Sequence, residues 1–103
     1  MSYFIISLDS GTTSARAVLF NSAGEVEAIE QKEFTQIYPE SGWVEHDPME
    51  ILEAQTSVLD SILSTTSHPI TALGITNQRE TTVIWDRNTG EPVYNAIVWQ
   101  DKR

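Results

Sequence analysis

The sequence predicts an α/β fold, a mixed sheet with one helix packed on its face. Three observations carry this. Strand-like segments follow one another three times before Thr35, a single capped amphipathic helix occupies about Asp47 to Ser64, and a Pro-bounded apolar run comes next, as expected of a parallel strand reached by a crossover.

Taken in order, Tyr3 to Leu8 is a short apolar, β-rich run closed by Asp9 and the Gly-centred turn SGTT. Ser14 to Phe20 sets Ala15, Ala17 and Leu19 on one side and Arg16, Val18 and Phe20 on the other, as in a strand partly covered on both faces. NSAGE marks a second turn. Val26 to Phe34 alternates less cleanly and carries several charges, which suits the outer strand of an antiparallel meander. After the loop YPESG, Asp47 stands as N-cap, Pro48 as the first helical residue and Glu50 three residues past the cap, the capping-box spacing. Ile51, Leu52, Ala54, Val58, Leu59, Ile62 and Leu63 then recur at helical spacing and give a broad apolar face for the sheet. Ile70 to Ile75 reads as a central parallel strand. TTVIWD, RNTGEP and VYNAIVWQD read as a strand, a turn and a strand or extended segment. No terminating signal follows Lys102 and Arg103, so residues 1–103 read as part of something longer.

The chain has 103 residues, enough for one domain with a core, and 40% of them are hydrophobic, close to the globular norm once glycine is added. Fifteen acidic against 6 basic residues give a net charge of -9, with the basic residues scattered, which argues against nucleic acid or an anionic membrane surface as partner. There is no cysteine, so disulfides and thiolate zinc sites are excluded. The apolar run at the start is too short for a signal peptide or a membrane span, and a cytoplasmic location is expected.

Neither a P-loop nor a dinucleotide fingerprint occurs. LDSGTTSAR, Leu8 to Arg16, offers another device for phosphate: a carboxylate at a strand end, a glycine that permits close backbone approach, and the hydroxyls of Thr12, Thr13 and Ser14. Backbone amides around such a turn form an anion-binding concavity, and Asp9 could hold Mg²⁺ directly or through water. The same residues also suit an ordinary hairpin turn. In NQRE, Arg79 brings five fixed donors and Glu80 an acceptor, the pair that two neighbouring hydroxyls ask for. An exposed charge pair is the alternative. Trp99, in IVWQD, could wall the C–H face of a polyol or serve in a core. His46 and His68 lie apart from any cluster with metal-ligand spacing and read as capping or loop residues, and EVEAIEQKE reads as a solvated face.

Together LDSGTTSARAVLF, GWVEHDPMEI, LGITNQRETTVIWD and TGEPVYNAIVWQDKR resemble, over the entire chain, the N-terminal end of the FGGY carbohydrate kinase family, on its glycerol-using branch. The resemblance implies a ribonuclease H-like, actin-like ATPase fold, with ATP and Mg²⁺ as cofactors. It also implies transfer of the γ-phosphoryl group to a terminal hydroxyl of glycerol, giving glycerol 3-phosphate, in a parent that forms a homo-oligomer. It implies Asp9 as the catalytic and metal residue, Thr12, Thr13, Ser14 and Arg16 as nucleotide contacts, and Arg79, Glu80 and Trp99 as the glycerol pocket. Ser10 stands where glutamine is usual in that branch, Ala15 where serine is common and Lys102 where arginine is common. The base that activates the substrate hydroxyl, a tyrosine of the glycerol site and the adenine-binding second lobe are expected beyond Arg103, so the 103-residue chain is expected to be inactive alone. Another FGGY polyol or sugar kinase, a non-catalytic polyol-binding module and an assembly ATPase of the actin and chaperone type are the competing readings. NQRETT speaks against the first and third, and a binding module would lose dependence on nucleotide.

Overall fold

The structure, a computed structural model, describes residues 3–103. Alternation builds the first strand pair. β1 (Phe4–Ser10) turns Phe4, Ile6, Leu8 and Ser10 inward and Ile5, Ser7 and Asp9 to the other face. It pairs antiparallel with β2 (Ser14–Phe20), whose inward Ala15 and Ala17 are small enough for a helix to lie close above them. β3 (Val26–Glu33) follows antiparallel on β2 after a turn in which the Asn21 side chain accepts the amides of Ala23 and Glu25. It is the edge strand its charges foretold.

The helix α1 (Pro48–Leu63) starts and stops where expected, with Asp47 accepting the Met49 amide at 3.0 Å and Ser64 as C-cap. One detail differs. Glu50 does not close a capping box; its Oε1 accepts the amide and hydroxyl of Thr35 at 2.7 and 2.8 Å, which ties the first helical turn to the end of β3. Ala54, Val58 and Ile62 meet Phe4, Ile6, Leu8, Ala15, Ala17, Leu19 and Phe34 in one core. Burying side chains of this size contributes about 1.5–3 kcal/mol for each large one.

β5 (Ile70–Thr76) lies parallel to β1, and the sheet order is β3-β2-β1-β5. Within this sheet β5 is therefore an edge and not the central strand its apolar run suggested, and Leu73 and Ile75 are exposed. A two-stranded sheet joins β4 (Glu45–His46) to β6 (Ala96–Ile97). TTVIWD, expected as a strand, is instead held by isolated bridges, Thr82 to Ile97 and Trp85 to Pro92. Among the described residues no helix is long and apolar enough to cross a membrane.

Candidate functional site

The parallel register of β1 and β5 places Asp9 opposite Thr76, so both strands end on the same side of the sheet. Ligands of open α/β sheets collect at such carboxyl ends. A cleft of about 420 Å³ opens there, lined by Asp9, Ser10, Gly11 and Thr12 from the β1–β2 bend, by Asn77 to Glu80 after β5, and by Trp99.

The bend is held by its carbonyls. Gly11 donates to Ser14 O at 2.9 Å, and a Cβ on Gly11 would come within 3.2 Å of that same oxygen. Gln78 Nε2 donates to Gly11 O at 3.0 Å, Gln36 Nε2 to Thr12 O at 3.1 Å, and the Phe34 amide to Thr13 O at 3.2 Å. With three successive carbonyls occupied, the amides of Thr12 and Thr13 have no acceptor among the described residues. That is the condition of an anion-binding turn.

Glu80 has φ +58°, the left-handed region, and is the one non-glycine residue found there among those described. A carboxylate residue in this region stores about 1–3 kcal/mol of strain, a feature that concentrates at ligand sites. Beside it Thr81 donates to Gln78 Oε1 at 2.6 Å, and Trp99 donates its indole N–H to Thr12 Oγ1 at 3.2 Å, so wall and bend are joined.

The structure thus brings Asp9, Thr12, Arg79, Glu80 and Trp99 to one cleft. Thr13, Ser14 and Arg16 do not line it. Ser14 Oγ accepts Gln31 Nε2 at 2.9 Å, and Arg16 pairs across from Asp9 in the β1–β2 ladder, on the sheet face away from α1. Among the described residues no group of three or more His, Asp or Glu side chains is arranged to hold a metal ion by itself.

Two buried groups on β4, outside the lining of the cleft, escaped the sequence reading. His46 is neither cap nor loop residue: it is fully buried on β4, with Nε2 2.7 Å from Gln36 Oε1 and Nδ1 3.5 Å from Gln78 Nε2. Burial pushes its pKa below the ordinary imidazole value, against the pull of the Glu50 charge. His68 stacks on Phe4 at 4.5 Å. Glu45 is buried next to His46 and receives Arg103 at 2.8 Å, Tyr94 at 2.7 Å and Asn95 at 3.0 Å. Burial raises its pKa, yet these hydrogen bonds together hold it below the usual carboxylate value. Arg103 also grips Asp101 and lies over the Trp43 ring at 3.9 Å, and its hydrogen bonds depress the Asp101 pKa strongly. A motif search could not find these groups, because each is defined by partners far away in sequence.

The N-terminal domain of the FGGY family of carbohydrate kinases matches residues 4–103. Among curated proteins the chain is 60% identical over 103 residues to a glycerol kinase of Francisella philomiragia and 59% identical over 103 residues to one of Fusobacterium nucleatum, in each case across 97% of this chain. It spans 21% of the length of each. Among solved structures it superposes on Plasmodium falciparum glycerol kinase with ADP at a TM-score of 0.93 and 38% identity, over 98% of this chain and 21% of that one.

Proposed function

Because this chain belongs to the FGGY family of carbohydrate kinases, we propose that it is the N-terminal part of a glycerol kinase, contributing half of a site where ATP phosphorylates glycerol. Its mixed sheet with a crossover helix is the actin-like ATPase fold of that family. The observation that carries the reading is the shared cleft, in which the Arg79–Glu80 pair stands against the Asp9–Thr12 bend.

The residues present fit Mg–ATP. The amides of Thr12 and Thr13, free of acceptors among the described residues and beside a glycine whose replacement would crowd Ser14 O, would suit phosphate oxygens, and the Asp9 carboxylate next to them would suit a magnesium ion carried on those phosphates. Bound there, Mg–ATP supplies the phosphoryl group and neutralises its charge. Asp9 would hold the ion, with the amides of Thr12 and Thr13 and the hydroxyls of Thr12, Thr13 and Ser14 on the phosphates and Arg16 toward the nucleotide. Arg79 donates to the glycerol oxygens, Glu80 accepts from the hydroxyls, and Trp99 covers the carbon backbone. Such a site works by positioning and charge, and the hydroxyl's base is assigned to the remainder of the enzyme. On this reading the 103 residues alone would turn over no glycerol. The ATP requirement suits a cytoplasmic enzyme, and we expect the whole protein to be a homo-oligomer.

The test is glycerol phosphorylation by the complete enzyme with and without Glu80→Ala. Removing a charged hydrogen-bond acceptor should raise KM for glycerol about tenfold to a hundredfold and leave KM for ATP in place. An unchanged KM for glycerol overturns the assignment, and glycerol binding indifferent to Mg–ATP with no turnover marks a binding module instead.

A further inference from the structure

We propose that Gln78 and His46 are positioning residues that keep the Gly11–Thr12 bend in register with the polyol wall of the cleft. The inference rests on the reading above and deepens it.

The donors run in one direction. The Trp99 amide approaches Thr81 Oγ1 at 3.4 Å, and Thr81 donates to Gln78 Oε1 at 2.6 Å. That fixes the Gln78 amide with its NH₂ toward Gly11 O, at 3.0 Å, and toward His46 Nδ1, at 3.5 Å. His46 must then accept at Nδ1 and carry its proton at Nε2, where Gln36 Oε1 waits at 2.7 Å. Gln36 in turn spends its NH₂ on Thr12 O and Phe34 O. Finally the Trp99 indole closes the circuit on Thr12 Oγ1. Two glutamines thus clamp two successive carbonyls of the bend, and one imidazole, accepting from Gln78 and donating to Gln36, links them.

The imidazole is itself fixed. His46 pairs with Ala96, and Val98 N donates to Val44 O at 3.1 Å, so the strand that leads to Trp99 is fastened to the strand that carries the ring. Phe34 packs its edge against the ring at 5.0 Å. Glu50 on α1 is the charged group acting on it, and burial disfavours the charged ring, whereas the circuit requires the neutral one. Arrays of this kind strengthen one another and rigidify what they hold. A displacement of the bend on the order of 1 Å is enough to cost about a hundredfold in turnover.

The experiment uses the complete enzyme, with wild-type glycerol turnover read first as the test of the premise. Gln78→Met keeps the shape and removes every donor; kcat should fall about a hundredfold while KM for glycerol moves by less than about threefold. Gln78→Glu also keeps the shape and, ionised at about pH 7, sets an acceptor-only carboxylate against Gly11 O, so its kcat should fall at least as far as that of Gln78→Met. A role in folding alone gives no such kcat-selective loss. A folded Gln78→Met enzyme with kcat within about twofold of wild type overturns the inference. A folded Gln78→Glu enzyme with kcat within about twofold of wild type overturns it as well, and this second variant decides the matter where the first does not fold.

Discussion

The indole N–H of Trp99 donates to Thr12 Oγ1 at 3.2 Å, across 87 positions of sequence. A side chain assigned to the polyol therefore touches one assigned to the phosphates. Trp99→Phe keeps an aromatic wall and removes the bond, whose net worth is about 1 kcal/mol, or about fivefold in kcat/KM for glycerol. If the contact works as a pair, Thr12→Val and Trp99→Phe combined lose less than the product of their separate losses. Strict additivity in that double-mutant cycle would show the contact to be idle.

Glu80→Gly separates stability from function. Glycine relieves the backbone at φ +58° and should stabilise the fold by about 1 kcal/mol, while the loss of the carboxylate weakens glycerol use. Denaturant unfolding and glycerol kinetics on the same variant read the two effects. A lower midpoint would mean that the Glu80 side chain supports the fold more than its conformation strains it.

Gly11→Ala asks the bend to absorb a methyl group 3.2 Å from Ser14 O, the acceptor that already closes the turn. Backbone has little room to yield. We expect a destabilisation of about 1 kcal/mol and a rise in KM for ATP of about tenfold, larger than any change in KM for glycerol. Equal shifts for both substrates would place the damage elsewhere.

Acid should destabilise the chain in two stages. The His46 pKa is lowered on folding, so the unfolded state takes up a proton first and stability declines as pH drops below the ordinary histidine value of 6.5. Glu45, Glu50, Asp86 and Asp101 are also lowered, and the stability they contribute above the ordinary carboxylate range is lost as pH falls through their folded values. Thermal melts across pH should lose the first stage in His46→Gln and flatten the second in Arg103→Leu. A single acid transition unchanged by His46→Gln would contradict the sign argued here.

Local signals were legible and distant ones were not. Asp47 and Pro48 announced α1 to within a residue because capping is decided by neighbours in sequence. A continuous β-rich run gave β1 and the two faces of Ser14 to Phe20 gave β2, and Arg79 with Glu80 reached the Asp9 bend because two parallel strands must end on one side. Thr82 and Trp85 lie in a segment that reads as a strand, yet their only ladder partners, Ile97 and Pro92, are too few to extend one. His46 and Glu45 were missed for a related reason. Gln36 and Gln78 lie 10 and 32 positions from His46, and no periodicity reports that distance.

Glu45 has a consequence for the order of assembly. Its three side-chain ties come from Tyr94, Asn95 and Arg103, 49 to 58 positions downstream, whereas the core shared by β1, β2, β3 and α1 is closed by nothing later than β5. Until those partners arrive the carboxylate keeps its water, so contacts of short sequence separation favour the meander and helix closing ahead of the seam around β4.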